Sequence, residues 1–313
     1  MSISNSRRKS RLFSYALLLI NTLTWGAALV VVKPSLEVTT PFRYLLYRFV
    51  IAVVLSIPIL LYYWPKIKNK FQTIKTITLL EMIGTTASLA FLYIGLARTS
   101  AVEASLIANT TPIFVVVAGV LLLKEHEERR EWIGLGLAFI GMVFVTLIPL
   151  LVGNGTSEIS VEGNIFIIIQ NVLTALYLIG AKKYYKKIPK FFVTTISFYV
   201  ASVSFFLLSF WEAQFSMTTL IDSVRHDLQF PSVWIAAGYM ALFGSIIGLT
   251  AYIKGQENIE ASEATIFWYL QPLVYIPLSL WMLGEPTHPL QFVGLAIILL
   301  GVFTSEFRRP SRS

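Results

Sequence analysis

The sequence predicts an all-α integral membrane protein with ten transmembrane helices, arranged as two inverted five-helix repeats. Three observations lead to this fold class: the apolar composition, the division of the apolar residues into segments of spanning length, and a similarity of the chain to itself at a shift of 160 residues. Hydrophobic residues make up 56% of the 313 residues and charged residues only 13%, whereas about 25% of residues are charged in soluble domains. The composition therefore excludes an ordinary soluble protein.

The apolar segments have the length of membrane spans. A helix needs roughly 20 apolar residues to cross about 30 Å of hydrocarbon. The longest predicted loop runs from 212 to 231, which leaves no room for a soluble domain. Ten segments meet this length, at about 12–32, 41–63, 75–97, 101–123, 131–151, 162–181, 191–211, 232–253, 262–283 and 289–306.

The distribution of Lys and Arg predicts the orientation. With the amino terminus in the cytoplasm, the inner loops and tails carry 20 of these residues and the outer loops carry 3. Such a bias places both termini in the cytoplasm, with tails at 1–11 and 307–313. The basic tail at 1–11 leads directly into a full-length span, so no cleavable signal is expected. The predicted location is the cytoplasmic (inner) membrane, as a multi-pass protein. The net charge of +8 reflects this bias, and no nucleic-acid partner is expected.

The internal similarity predicts that the chain is built twice. At the shift of 160 residues, Ala101-x-Glu103-Ala104-Ser105 aligns with Ala261-x-Glu263-Ala264-Thr265, and Pro112 aligns with Pro272. The two repeats are predicted at 12–151 and 162–306. Each contains five spans, an odd number, so the second repeat must enter the membrane in the opposite direction. Inverted repeats of this kind are typical of secondary transporters, whose site lies between the two halves.

The order of the motifs resembles a known family. The first helix contains Thr24-Trp25-Gly26, the second an arginine, the fourth an Ala-x-x-Ala before a proline, and a glutamate precedes a Gly-rich fifth helix. This arrangement resembles the EamA type of the drug/metabolite transporter superfamily over residues 12–306. The resemblance implies transport by alternating access and leaves the cargo open. The second half has Ala175-Leu176 in place of Trp25-Gly26, so any shared site should be asymmetric.

Polar and aromatic residues near the middle of the spans predict a central cavity formed by spans 1, 3, 4, 6, 8 and 9. Polar groups at this depth are costly and often functional. The alternative is that they only connect helices and that the prolines, Pro112 and Pro272, only kink them. The candidate substrate-binding residues of this kind are Asn21, Trp25, Tyr93, Asn109, Gln170, Asn171, Tyr177, Tyr252, Trp268, Tyr269 and Gln271.

Two charged residues within the spans complete the candidate site. Arg48 lies in span 2 and Glu81 in span 3, and their axial separation of roughly 13 Å, at 1.5 Å per residue, argues against a direct ion pair. Arg48 could bind a substrate carboxylate in a bidentate manner or hold helix ends together. Glu81 has no acidic counterpart in the second half and is expected to contribute to substrate binding or to exchange a coupled proton.

These features favour a secondary transporter of small polar organic metabolites, most simply an exporter of amino acids or related compounds. An enzyme is not expected, because the chain has no cysteine and its three histidines lie in loops or at span ends. No metal or cofactor is expected, and a GxxxxGK[ST] loop for ATP is absent. The expected partners are a small-molecule substrate, the lipid bilayer and a coupled proton; the oligomeric state is open and compatible with a monomer. The alternatives are a broad-specificity drug or cation exporter, in which Glu81, Trp25 and Trp268 would bind the cation, and a scaffold or receptor without transport.

Overall fold

The computed structural model describes residues 2–96, 98, 107–108, 110–124, 129–152, 161–259, 263–264, 267–283 and 289–306. Within these residues all regular secondary structure is helical. The first half contains α1 (Ser2–Gly26), α2 (Ala28–Leu36), α3 (Pro41–Tyr63), α4 (Lys70–Glu81), α5 (Ser88–Leu96), α6 (Thr111–Ala118) and α7 (Arg129–Val152). The second half contains α8 (Val161–Tyr184), α9 (Lys190–Glu212), α10 (Met217–Asp227), α11 (Pro231–Tyr239), α12 (Thr250–Gly255), α13 (Gln271–Leu283) and α14 (Pro289–Glu306).

Several of these helices continue through wider or tighter turns. The π-helical turns Met82–Ala87 and Met240–Leu249 join α4 to α5 and α11 to α12, and Gly119–Leu123 extends α6 in the same way. Short 3₁₀ segments follow α12 and precede α13, at Gln256–Asn258 and Phe267–Leu270. π-helical turns are rare in proteins, and those that occur are often found at functional sites. Two of the three border the cavity described below.

Local signals explain where the helices begin. Pro41 and Pro231 occupy the first turns of α3 and α11, where a missing N–H costs nothing and the fixed φ suits a helix. The Thr40 side chain also accepts a hydrogen bond from the backbone N–H of Arg43. The extension of α6 ends at Lys124, which has a positive φ of 55°.

Six helices in the described residues are long and apolar enough to cross a membrane: Arg11–Leu36, Pro41–Lys66, Lys70–Gly95, Glu162–Tyr184, Lys190–Glu212 and Pro231–Asn258. Many large apolar side chains on these helices are exposed, among them Leu61, Leu79 and Val203. An outer surface of this kind is matched to lipid rather than to water. The protein is therefore an all-helical, multi-pass membrane protein.

Each of the other four predicted spans contains a helix, but these helices are not among the six candidate membrane spans of the described residues. Thr111–Leu123 falls in predicted span 4, α7 in span 5, α13 in span 9 and α14 in span 10. The first span extends beyond its predicted end at residue 32, because α2 continues the direction of the chain after a turn at Ala27 as far as Leu36. The number of ten spans stays a prediction.

The helices pack in recurring pairs. α3 packs against α9 and α7 against α14, α1 packs against α12 and α13, and α8 packs against α5 and α6. The contact between α7 and α14 depends on glycine. A Cβ at Gly141 would lie 2.7 Å from the carbonyl oxygen of Gly294, and a Cβ at Gly301 would collide with the backbone of Gly134 and Ala138. Since higher numbers on one helix meet lower numbers on the other, the two helices run antiparallel.

The long loop at 212–231 contains a helix that the sequence analysis did not predict. α10 begins after Ser216, whose side chain accepts a hydrogen bond from the backbone N–H of Thr219. Leu220 and Asp227 are seven residues apart and so lie on one face, and both are buried. The apolar period was present in the sequence, but the helix is too short and too polar to resemble a span. It caps the bundle at one end.

Candidate substrate cavity

A cavity of about 330 Å³ lies inside the bundle, within the usual range of about 300–1,000 Å³ for small-molecule sites. Its walls come from α1 and α2, α3, the π-helical turn 82–87 with α5, α6, α8, the π-helical turn 240–249 and the segment 267–271. These elements correspond to the six predicted cavity spans and, in addition, to span 2. Span 2 contributes Arg48 and Phe49.

Most of the candidate residues lie at the wall of this cavity. Four others lie behind the wall: Asn21, Glu81, Asn171 and Tyr252 do not line it. Asn109 and the side chain of Pro272 lie outside the described residues. The candidates that line the cavity are Trp25, Arg48, Tyr93, Pro112, Gln170, Tyr177, Trp268, Tyr269 and Gln271.

The sequence analysis missed several lining residues, among them Phe49, Gly84 and Thr174. For Thr174 a signal was available, because the stretch Asn171-x-Leu173-Thr174 repeats Asn21-x-Leu23-Thr24 at a shift of 150 residues. Phe49 and Gly84 carried no signal. A phenylalanine and a glycine are ordinary residues in a transmembrane helix.

The two repeated asparagines connect helices instead of facing the cavity. The Asn21 amide donates to the Gly248 carbonyl at 3.1 Å, and its oxygen accepts from the Trp268 indole at 3.2 Å. The Asn171 amide donates to the Ile107 carbonyl at 2.6 Å. Both side chains are fully buried and hydrogen-bonded. In this structure both side chains therefore connect α1 and α8 to neighbouring helices, the arrangement that the structural alternative above describes.

The proline in α6 leaves one backbone carbonyl without its helical donor, and a hydroxyl compensates for the loss. Pro112 has no N–H to donate to the carbonyl of Ala108 four residues earlier. The Thr111 hydroxyl lies 2.6 Å from that carbonyl and also 2.6 Å from the Asn171 side-chain oxygen. The hydroxyl has a single proton for these two acceptors, so it can donate a full hydrogen bond to only one of them at a time.

One wall of the cavity is aromatic. The rings of Trp25 and Trp268 lie 5.6 Å apart, and Tyr252 packs behind them at 6.1 and 5.1 Å. The Trp25 indole donates to the Gly244 carbonyl at 2.9 Å, within the π-helical turn 240–249. This bond and the one from the Trp268 indole to Asn21 orient the two indole rings.

Arg48 is the only charged residue among the described side chains that line the cavity. It is 9% exposed, and its Nε donates to the Ser245 hydroxyl at 2.9 Å. The guanidinium carbon lies 4.9 Å from the centre of the Phe49 ring. Within the described part of the chain the two terminal NH₂ groups have no hydrogen-bond partner and no ion pair. A buried cation therefore presents most of its donors to an otherwise uncharged cavity.

Glu81 is surrounded by hydroxyl groups. Its carboxylate accepts hydrogen bonds from Ser197 at 2.7 Å, from Tyr177 and Tyr185 at 3.0 Å each, and from Thr85. The residue is completely buried, and it forms no ion pair with Arg48. A carboxylate has about four acceptor positions, so these four donors occupy them all. Tyr177 and Thr85 also line the cavity and lie between it and the carboxylate.

The close approach of Tyr177 depends on Gly84. A Cβ at Gly84 would collide with the Tyr177 ring. Gly84 lies in the π-helical turn that starts directly after Glu81. The turn and the glycine together bring α8 close enough for the tyrosine to reach the carboxylate.

Two polar atoms at the cavity wall lack partners among the described residues. They are Oε1 of Gln170 and the hydroxyl of Tyr269. The other end of the Gln170 amide donates to Thr174 at 2.8 Å. An unpaired buried polar group costs about 1–3 kcal/mol.

Ion pairs lie toward both ends of the bundle. Arg11 and Tyr15 of α1 both contact the Glu263 carboxylate at 2.5 Å. At the other end, Arg43 donates to Asp227 at 2.9 Å. Burial alone would raise the pKa of Asp227, but hydrogen bonds from Thr39, Arg43 and Tyr47 outweigh it and hold this pKa below its ordinary value. α10 is thereby attached to α3.

Comparison with known proteins identifies the family. The model of the EamA-like transporter family matches the chain twice, at residues 12–147 and 161–306. The chain belongs to the EamA-like transporter family. The family membership predicted from the motifs is thus confirmed. The family and its relatives also support the prediction that the protein is a membrane transporter.

Relatives of this EamA-like protein span nearly its whole length. An uncharacterized transporter of Bacillus subtilis, YyaM, is 26% identical over 293 residues, covering 93% of each chain. An uncharacterized transporter of Archaeoglobus fulgidus is 24% identical, covering 95% of this chain and 98% of its own length. A solved crystal structure matches with a TM-score of 0.72 at 16% identity, covering 96% of both chains, which shows a shared fold.

Proposed function

We propose that this EamA-like protein is a secondary transporter of small organic metabolites that carry a carboxylate, namely amino acids or related compounds. It would export them across the cytoplasmic membrane by alternating access. The observation that carries this proposal is the state of Arg48, a buried guanidinium with unoccupied donors at the wall of a cavity of about 330 Å³. A guanidinium recognises a carboxylate through two parallel hydrogen bonds.

The remaining wall suits the other parts of an amino acid. Gln170, Thr174 and Tyr269 place polar side chains at this wall, which suits an ammonium group. Trp25 and Trp268 form an apolar surface for the side chain. A phosphorylated substrate is disfavoured, because the described lining contains a single cation.

A drug or cation exporter is the second candidate, and the aromatic wall favours it. Trp, Tyr and Phe rings attract cations through their faces. The charge of the site argues against it, since the one charged lining side chain is the positive Arg48. The acidic Glu81 is occupied by four hydroxyls.

The pairing of helices supports two inverted repeats at 12–151 and 162–306. α1 packs on α12 and α13, and the corresponding helix α8 packs on α5 and α6. Thr22 donates to the Phe267 carbonyl, and Asn171 donates to the Ile107 carbonyl, which is its equivalent at the shift of 160. The family model also matches twice. Two such halves have two near-equivalent packings, one open to each side of the membrane.

Both tails are proposed to lie in the cytoplasm, because of the distribution of Lys and Arg. Reporter fusions at Asn154 and Lys186 should report opposite sides of the membrane. The same side for both would contradict the ten-span topology.

Glu81 is proposed as the site of a coupled proton. A carboxylate behind the cavity wall, with Thr85 and Tyr177 in contact with both, can respond to the occupancy of the cavity. Glu81→Gln should abolish the pH dependence of transport while substrate selectivity is retained. Wild-type pH dependence in this variant would assign Glu81 to the scaffold alone.

The function is tested by flux into proteoliposomes that contain the full-length protein. The panel consists of a neutral amino acid, its amide, a sugar and a lipophilic cation. The proposal predicts uptake of the amino acid and little uptake of its amide, which has no carboxylate. Uptake confined to the lipophilic cation would favour the drug exporter, and no uptake of any compound would contradict both. For the direction, overexpression in cells should lower intracellular amino acids.

A further inference from the structure

Helix α10, at the predicted outer end of the bundle, carries an apolar stripe that the fold leaves uncovered. Met217, Ile221 and Leu228 follow one another at spacings of four and seven residues, which places them on one side of a helix. Their side chains are between 44% and 48% exposed. Apolar side chains that are exposed side by side mark a contact surface.

The rest of α10 fixes the direction of this stripe. Leu220 and Asp227 are buried on one side of it, and Asp227 forms its ion pair with Arg43 of α3 at 2.9 Å. On the other side Asp222 and Arg225 are exposed, with 3.6 Å between carboxylate and guanidinium. At about 100° per residue the stripe lies between these two surfaces. The helix therefore packs on the bundle by one edge only and holds the stripe outward.

The candidate membrane spans place α10 at the boundary of the bilayer. The span Lys190–Glu212 ends shortly before α10 begins, and the span Pro231–Asn258 begins shortly after it ends. Trp211, at the end of the first of these spans, is exposed. Tryptophan is enriched at the level where headgroups meet hydrocarbon. Amphipathic helices at this level bury their apolar side among the lipids.

A row of aromatic rings connects the apolar outer surface of α9 with the turn before α10. The rings of Phe206 and Phe210 stack at 6.2 Å, and the Phe215 ring meets that of Phe210 edge-on at 5.6 Å. Gln214 and Phe215 both have a left-handed backbone, with φ of 54° and 58°. Glycine adopts this conformation easily and larger residues only at a cost. The chain thus bears backbone strain at a residue whose ring is 66% exposed.

We infer that α10 and Phe215 insert into the outer headgroup boundary of the bilayer as an interfacial anchor. The stripe and the ring extend an apolar surface that α9 already presents to lipid, which favours lipid over a protein partner. Asp222 and Arg225 balance each other, so the apolar contact carries the binding and zwitterionic lipid is sufficient. The inference does not depend on the transported substrate.

Single labels on the two sides of α10 test the inference. The chain contains no cysteine, so one introduced cysteine gives a unique site for a nitroxide. Ile221→Cys and Thr219→Cys form a matched pair, because residues two apart lie on nearly opposite sides of a helix and both are exposed. The full-length protein is reconstituted into phosphatidylcholine vesicles. The accessibility of each label to oxygen, which concentrates in hydrocarbon, is divided by its accessibility to a water-soluble nickel chelate.

The ratio should be several-fold higher for the label at 221 than for the label at 219. A low ratio at both positions would leave the stripe in water and overturn the anchor. A high ratio at both would overturn it too, because α10 would then have no lipid-facing side. Protection of the label at 221 from both reagents would mean that a protein covers the stripe. A ratio that rises only after addition of phosphatidylglycerol would mean an attraction of charges, and would also contradict the inference.

Two glycine variants test the part assigned to Phe215. Gln214→Gly and Phe215→Gly each remove one strained residue of the left-handed turn, but only Phe215→Gly removes the ring. In the protein labelled at 221, Phe215→Gly should lower the accessibility ratio and Gln214→Gly should leave it unchanged. An equal fall in both variants, or no change in either, would overturn the role of the Phe215 ring.

Discussion

Arg48 and Glu81 are both charged residues buried within the membrane spans, yet they differ in how their hydrogen-bonding capacity is used. Glu81 accepts from four hydroxyls, whereas Arg48 donates one hydrogen bond, to Ser245. A buried charge without partners is strongly unfavourable. The saturated carboxylate is therefore stabilised by the fold itself, whereas the fold leaves the terminal NH₂ groups of the guanidinium without partners among the described residues.

The difference follows from the helices around each residue. Glu81 faces α8 and α9, which supply Tyr177, Tyr185 and Ser197. Arg48 faces a cavity instead of a helix surface and packs on Phe49. The comparison teaches that burial and charge alone do not identify a binding residue. Under the proposed function, the number of unused donors is what separates Arg48 from Glu81.

The largest expected effect is that of Arg48→Gln on transport. Loss of a bidentate, charge-assisted contact should lower the uptake of a carboxylate substrate about a hundredfold. Arg43→Gln is the matched control, since it removes the same group from the same helix but at the Asp227 ion pair. Proteoliposome uptake rates measure both. A similar loss in the two variants would indicate damage to the bundle rather than to substrate recognition.

The next effect is that of Glu81→Ala on stability. Four buried hydroxyls would lose their shared acceptor, which should lower the free energy of unfolding by about 3 kcal/mol. Glu212→Ala serves as the control, because that exposed carboxylate has one hydroxyl partner, Thr40. Thermal unfolding in detergent measures the difference. If both variants unfold at the same temperature, the four hydrogen bonds to Glu81 contribute no stability.

Gly84→Ala should have a smaller effect on the same region. The added methyl group would collide with the Tyr177 ring, and overpacking of this kind costs about 1–3 kcal/mol. At Gly136 an added Cβ would meet no atom within 4 Å, so Gly136→Ala should be neutral or slightly stabilising. A comparison of the two melting temperatures checks this prediction. Equal stability would show that Tyr177 can move away without cost.

The smallest effect is expected at Asp227, a saturated charge like Glu81 but outside the spans. Burial alone would raise the pKa of Asp227. Hydrogen bonds from Thr39, Arg43 and Tyr47 outweigh this effect and hold the pKa below its ordinary value. Its contribution to stability is therefore present above the ordinary Asp pKa of about 3.9 and is lost as the pH falls below it. Asp227→Asn should destabilise the protein by about 1 kcal/mol near neutral pH and by less in acid. A gap in melting temperature that widens in acid would contradict this assignment.

The sequence was sufficient for the membrane class and the family. It also pointed to Arg48 as a buried charge, because a charged residue within an apolar segment is visible without any structure. It could not separate Asn21 and Asn171 from the lining residues, since their partners Gly248 and Ile107 are backbone carbonyls on other helices. The partners of Glu81 were not predicted either, although they are side chains. Three of the four lie on helices about a hundred residues away in the chain, and contacts between helices have no local signature.

The most direct test of this account is the ratio of uptake of an amino acid to uptake of its amide, measured in the wild type, Arg48→Lys and Glu81→Gln. A lysine keeps the charge but not the planar pair of donors. We expect Arg48→Lys to lower the ratio about tenfold and Glu81→Gln to leave it unchanged. An unchanged ratio in Arg48→Lys together with a collapsed ratio in Glu81→Gln would contradict the account, because it would make the saturated carboxylate the residue that recognises the substrate.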